Sequence, residues 1–154
     1  MNEKLKKFQD LSLKEKEEVL KWRNHPEIRK YLFNKKEISL KEHLQFIESL
    51  KEKNDKIYLK VSDLGVVNFH LKKQIAILGI HKNPKKQKVG KILLNEALKY
   101  AFKTLKVKKI ILEVFEENKK AINLYKQFGF TKIAKNDNLI KMELKYEDWK
   151  NRYE

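Results

Sequence analysis

The stretch with the most chemical content is His81-Lys82-Asn83-Pro84-Lys85-Lys86-Gln87-Lys88-Val89-Gly90-Lys91. It is a basic loop between an apolar strand and a long amphipathic helix. A helix N-terminus offers unpaired N–H groups and the positive end of its dipole. Gly90 permits close backbone approach to an anion, and Lys85, Lys86, Lys88 and Lys91 surround it. The chemistry this suits is a pyrophosphate cradle. It is not a Walker loop, because no Gly-Lys-Ser/Thr follows, and it lacks the three spaced glycines of a dinucleotide fingerprint. Arginine occurs only at Arg23, Arg29 and Arg152, and Arg23 suits bidentate phosphate contact. The chain has no cysteine, which excludes disulfides, thiolate metal sites and a cysteine nucleophile. Its 4 histidines are scattered without ligand spacing, so no metal site is expected.

These residues sit in a chain of 154 residues and 18.6 kDa, the size of a single domain spanning 1–154. A hydrophobic share of 41% can bury a core despite 38% charged residues. The net charge of +16 points to an anionic partner. The lysines are spread along the chain and arginine is scarce, so a phosphorylated small molecule is at least as good a fit as nucleic acid. The longest apolar run, Ile75 to Ile80, is far below the roughly 20 residues of a membrane helix. Met1 to Lys7 has no apolar h-region behind its charges. The expectation is a cytoplasmic protein with no membrane partner.

The elements that must position the loop follow from periodicity. Leu5 to Gln9 reads as a short strand. Ser12-Leu13-Lys14-Glu15 and Ser39-Leu40-Lys41-Glu42 are capping boxes. They open helices over Leu13–Asn24, with Leu13, Val19, Leu20 and Trp22 buried, and from Leu40, with Leu40, Leu44, Ile47 and Leu50 on one stripe. Pro26 ends the first helix, and Glu27 to Phe33 reads as a second short helical piece. Lys56–Val61, Val66–Leu71 and Ile75–Ile80 form an antiparallel meander, the last strand apolar on both faces and therefore central. A helix follows the loop to about Leu105, then a strand at Lys108–Phe115 and a helix at Asn118–Phe128 ended by Gly129. Thr131–Ala134 and Leu139–Leu144 are the final strands. The fold class is α/β (α+β): a mixed, mostly antiparallel sheet with helices on its faces.

The run Asn118-Lys119-Lys120-Ala121-Ile122-Asn123-Leu124-Tyr125-Lys126-Gln127-Phe128-Gly129-Phe130 resembles the Asn-x-x-Ala-Ile-x-Leu-Tyr-x-x-x-Gly-Phe segment of the GNAT acyl-CoA N-acetyltransferases. Gln87-Lys88-Val89-Gly90-Lys91 is similar to that family's pyrophosphate loop, departing from it at Ile92, where Gly or Ala is preferred. The resemblance implies a sheet splayed at a V-shaped notch that holds acetyl-CoA, with no metal. It implies cofactor contacts from Leu78, Gly79, Ile80 and His81 through the backbone, from Gln87, Lys88, Val89, Gly90 and Lys91, and from Asn118 and Lys120. It implies direct attack of an amine on the thioester, with Tyr125 as general acid and Glu113 as base.

The stretch Trp22-Arg23-Asn24-His25-Pro26, followed by Ser39 to Glu48, also resembles the pseudaminic-acid pathway N-acetyltransferases. These acetylate the 4-amino group of a UDP-linked amino-dideoxy sugar for flagellin glycosylation. By position, Arg23, His43, His70 and His81 face the nucleotide end, and Leu32, Phe33, Phe46 and Ile77 form an apolar wall for the 6-methyl group. The partners implied are acetyl-CoA and a UDP-amino sugar, for a monomer or homodimer. Two rivals stay open: a family member acetylating another amine such as a protein N-terminus, and a nucleic-acid-binding module.

Overall fold

The computed structural model describes residues 3–153. The N-terminal expectation at Met1 and Asn2 lies outside the described residues. In chain order the elements are β1 (Leu5–Lys7), α1 (Leu13–Asn24), α2 (Pro26–Arg29), α3 (Leu40–Ser49), β2 (Lys56–Val61), β3 (Gly65–Lys72) and β4 (Ile75–Lys82). There follow α4 (Gly90–Lys99), β5 (Lys109–Phe115), α5 (Lys119–Gln127), β6 (Thr131–Asn136), β7 (Leu139–Lys145) and α6 (Tyr146–Tyr153). The sheet has the order β1-β2-β3-β4-β5-β7-β6. It is mixed and mostly antiparallel, as expected, and the doubly apolar β4 takes the central place.

The chain divides into two compact units. One runs to Phe69 and includes Gly79–Glu96; the other comprises His70–Leu78 and the chain from Ala97 on. In the first, both expected capping boxes are present: the Ser12 hydroxyl accepts from Glu15 N and the Ser39 hydroxyl from Glu42 N. Phe8, Leu11, Val19, Trp22, Ile47, Leu50 and Val66 form its core cluster. Two expected core positions are wrong. Leu13 is 58% and Leu40 41% exposed, because each is the first residue of its helix, at the end of the buried stripe. The chain after β1 turns into a 3-10 segment, Phe8–Asp10, that drives Phe8 into the core. The second helical piece is only Pro26–Arg29, and residues 30–39 have no regular structure. Their backbone is held by side chains instead.

In the second unit β4 pairs parallel with β5 over Ile75–Ile77 and Lys109–Ile111. That ladder stops there although β4 continues to Lys82 and β5 to Phe115. β7 lies between β5 and β6. The reason is in the side chains. Ile140, Met142 and Leu144 are buried, whereas every residue of β6 is exposed. A strand with Lys132, Lys135 and Asn136 suits an edge, where charge blocks further pairing. The α-helical part of α4 ends at Lys99, short of the expected Leu105, and closes in a π-turn over Tyr100–Thr104. Phe102 in that turn lies 5.1 Å, ring centroid to centroid, from Trp149 of α6. Trp149 is 2% exposed, so the C-terminal tail is a core element.

Candidate active site in two halves

The first half belongs to the unit containing residues 79–96. Leu93 N donates to Val89 O, the first α-helical bond of α4, so the amides of Gly90, Lys91 and Ile92 precede any intrahelical acceptor. The loop before them is tied down by its own groups. Asn83, 7% exposed, donates Nδ2–H to Asp63 O at 2.9 Å, and its Oδ1 accepts from Lys85 N at 3.0 Å. Lys82 Nζ donates to Lys86 O at 2.8 Å, and Lys86 Nζ pairs with Asp63 at 2.9 Å. Lys88 stands at φ +57°, the left-handed turn that brings the chain to the helix start. Gln87, Lys88 and Lys91 are exposed and Val89 is buried. The chain from Lys82 to Asn95 carries no carboxylate. This donor set fits a pyrophosphate.

Two glycines permit close approaches in this unit. A Cβ on Gly65 would meet His81 O at 2.5 Å and Leu93 Cδ1 at 2.8 Å. A Cβ on Gly79 would meet the Asn68 side-chain amide at 2.5 Å. His81 has a buried Nε2 without a hydrogen-bond partner. Burial first, and the Arg23 charge second, push its pKa down to about 4, so the ring is neutral at pH 7. A buried, unpartnered ring nitrogen at the end of β4 is an open polar position beside the loop.

The residues expected on the acceptor side of this unit have partners within it. Arg23 was expected to meet a phosphate. Its guanidinium instead donates to Lys36 O at 2.6 Å, Asn34 O at 2.7 Å and Asn24 Oδ1 at 3.2 Å. His43 is 7% exposed, its Nε2 lies 2.9 Å from Lys16 O, and its ring meets Phe8 edge-on at 6.3 Å. Burial lowers its pKa. Both groups are engaged inside the unit, because backbone acceptors in the irregular loop and at α1 need donors. Phe46 is half-buried against Tyr58 at 4.9 Å. Leu32 is half-buried, and Phe33 is 66% exposed. Trp22 is a core residue, 6% exposed, with Lys60 Nζ 5.5 Å from its ring centroid.

The second half belongs to the other unit and centres on α5. The motif is a helix with both ends specified. Asn118 is the N-cap, its Oδ1 accepting from Ala121 N at 3.3 Å. Gly129, at φ +99°, ends it, with Gly129 N donating to Lys126 O and Phe130 N to Tyr125 O, both at 3.0 Å. Tyr125 stands in the last turn, its ring 5.8 Å from Phe130. Burial pushes the Tyr125 hydroxyl up to about 12, so it stays protonated at neutral pH. Glu113 is exposed on β5 and opposite Lys141 on β7. Leu78 is buried, Ile77 and His70 are half-buried, and Lys120 is exposed. Among the described residues, no three His, Asp or Glu side chains group as metal ligands would.

Asn24, Arg29 and Asn83 escaped the sequence reading as groups that tie down backbone. For Arg29 the scarcity of arginine was a usable signal; for the asparagines only their tertiary contacts mark them.

A strand, a basic loop feeding a helix N-terminus, and a capped helix carrying a protonated tyrosine are the parts of an acetyltransferase. The chain belongs to the acetyltransferase (GNAT) family, whose model matches residues 17–130. It is 37% identical over 152 residues to the acetyltransferase PseH of Campylobacter jejuni, with 96% of each chain covered. The crystal structure of Campylobacter jejuni N-acetyltransferase PseH in complex with acetyl coenzyme A matches with a TM-score of 0.79 and 33% identity, covering 92% of this chain and 97% of that one. Spermidine N-acetyltransferase from Vibrio cholerae shares the fold, with a TM-score of 0.83 at 21% identity and coverage of 96% and 98%. Among the described residues, no helix is long and apolar enough to cross a membrane.

Proposed function

We propose that this chain transfers the acetyl group of acetyl-CoA to the 4-amino group of a UDP-linked amino-dideoxy sugar of pseudaminic acid biosynthesis. The observation that carries the reading is the 37% identity to PseH over 96% of both chains, which spans both halves of the candidate site. The family match from 17 to 130 runs through both compact units, which supports their working as one catalytic domain. The chain acts on two small anionic substrates in the cytoplasm, as a monomer or homodimer. Its +16 charge favours both encounters, with a marked salt dependence.

Acetyl-CoA supplies the activated thioester when bound. The amides of Gly90, Lys91 and Ile92 and the lysines of the loop hold its pyrophosphate. The backbone of Gly79, Ile80 and His81 pairs with its extended arm, since the β4 ladder to β5 stops at Ile77. Tyr125 gives its proton to the departing sulfur. Glu113 takes a proton from the substrate ammonium, directly or through water. No protein nucleophile is required.

The test is acetyl-CoA-dependent thiol release with the UDP-4-amino sugar, a peptide N-terminus as competing acceptor, and Tyr125→Phe beside the unaltered chain. Turnover confined to the sugar, with kcat lowered about 100-fold or more in Tyr125→Phe, is the expected result. Turnover with the peptide alone would sink the acceptor reading. A variant that keeps full kcat would remove Tyr125 as the acid.

A further inference from the structure

The turn between β3 and β4, the start of β5 and the junction of β7 with α6 meet in the second compact unit. Lys108 ties them together through its backbone. Its N–H donates to Gln74 O at 2.8 Å, and its carbonyl accepts from Tyr146 N at 2.9 Å. Ile75 pairs with Lys109, and Lys109 with Lys145, so the three side chains form one row on one face of the sheet. The result is a cleft of about 630 Å³, within the roughly 300–1,000 Å³ of ligand pockets. Every residue lining it belongs to this unit. Ile75 opens β4, whereas the cofactor stretch Gly79–His81 lies toward the other end of that strand.

The lining divides into a floor and a rim. Tyr146 and Ile75 are half-buried. The Tyr146 ring lies 5.7 Å from Phe102 and 6.3 Å from Trp149, centroid to centroid. Those two rings are 3% and 2% exposed. Tyr146 is therefore the outermost ring of a fixed aromatic cluster, and it borders the cleft. Such a ring is a platform for a planar group. On the rim stand Lys73, Lys108 and Lys145, all exposed. Lys109 is already paired with Glu143 at 3.3 Å. Among the described residues, the other three ammonium groups meet no carboxylate. Like charges around one cleft repel unless an anion lies between them, and lysine binds phosphate as a point charge. Glu147 and the Gln74 amide share the rim and offer acceptors to hydroxyl or amino groups. A planar platform, three unpaired cations and two acceptors suit a nucleotide better than a bare anion.

We propose that this cleft binds a nucleotide, with its base on Tyr146 and its phosphates at Lys73, Lys108 and Lys145. The site is additional to those for acetyl-CoA and the acceptor. None of its residues takes part in the reaction described above, so it stands or falls apart from the identity of the acceptor.

The experiment is calorimetric titration of the full chain at physiological salt, preloaded with one equivalent of CoA so that the cofactor's own nucleotide site is filled. The probes are ATP and, lacking a base, tripolyphosphate. One ATP per chain is expected, bound about tenfold tighter than tripolyphosphate, since base stacking adds to the phosphate contacts. Lys73→Glu and Lys145→Glu, both at exposed positions, should each weaken ATP about tenfold and hold CoA affinity within about twofold. Tyr146→Phe should keep ATP affinity within about twofold, and Tyr146→Leu should bring ATP and tripolyphosphate to similar affinity. No ATP bound with CoA in place, or binding that both lysine reversals leave unchanged, would overturn the site. An equal fall in CoA affinity would do so too, as a general charge effect. Tripolyphosphate binding as tightly as ATP in the unaltered chain would refute the nucleotide. That comparison needs no variant, so it decides the matter even where Tyr146→Leu fails to fold.

Discussion

Helix α5 and the segment 30–38 are both fixed by polar contacts, but their partners come from different distances along the chain. The N-cap Asn118, the acceptor of its cap Ala121 N, and the terminating Gly129 all lie within a dozen residues. The segment 30–38 has no caps of its own and takes its donors from α1 and α2. The first region is written where it folds. The second is assembled, and its side chains can be turned outward because distant groups satisfy its backbone.

The independence of α5 has one tertiary limit, which the largest effect would expose. Arg152 of α6 donates Nη2–H to Gln127 O at 2.7 Å, and α6 is anchored by Trp149. Trp149→Ala should cost about 3–5 kcal/mol of stability, read as a fall in the denaturation midpoint. A loss under 1 kcal/mol would show that α6 is not part of the core. Next in size is Gly129→Ala. The left-handed backbone there, with Arg152 Nη1 3.1 Å from an added Cβ, sets an expected loss of about 1–2 kcal/mol. A neutral substitution would contradict the left-handed stop.

The smallest effect separates the two regions by acid. His81 has its folded-state pKa depressed to about 4 from 6.5. The unfolded chain therefore binds the proton first. Stability is fully present above pH 6.5 and drains as pH falls toward 4, by about 1 kcal/mol between pH 6.5 and 5.5. His43 shifts in the same direction, so His81→Phe should reduce this slope without abolishing it. A slope identical in His81→Phe would show that the ring does not carry the effect. The Asn118 and Gly129 caps of α5 carry no titrating group, and Tyr125 moves only at the alkaline end. The loss should therefore be concentrated in the unit that holds Arg23.

Much of this was legible beforehand. The capping boxes, the meander, the central β4, the α5 motif and the glycine that ends it depend on neighbours a few residues away. The basic loop was legible as a helix start, and α4 begins at Gly90. The backbone partners of Arg23 and His43 were not legible, because each lies 11 or more residues away. Trp149 gains its place only against Phe102.

The sequence by itself determined the class of sheet, the capped helix starts, and the basic loop before α4 and the ends of α5, because periodicity, caps and left-handed glycines act over one or two turns. Only the tertiary structure decided that β7 lies inside β6, that α6 is core, and that three polar side chains at the α1–α2 corner hold residues 30–38. Those outcomes follow from burial and from satisfying backbone groups across long chain separations, which no local pattern encodes.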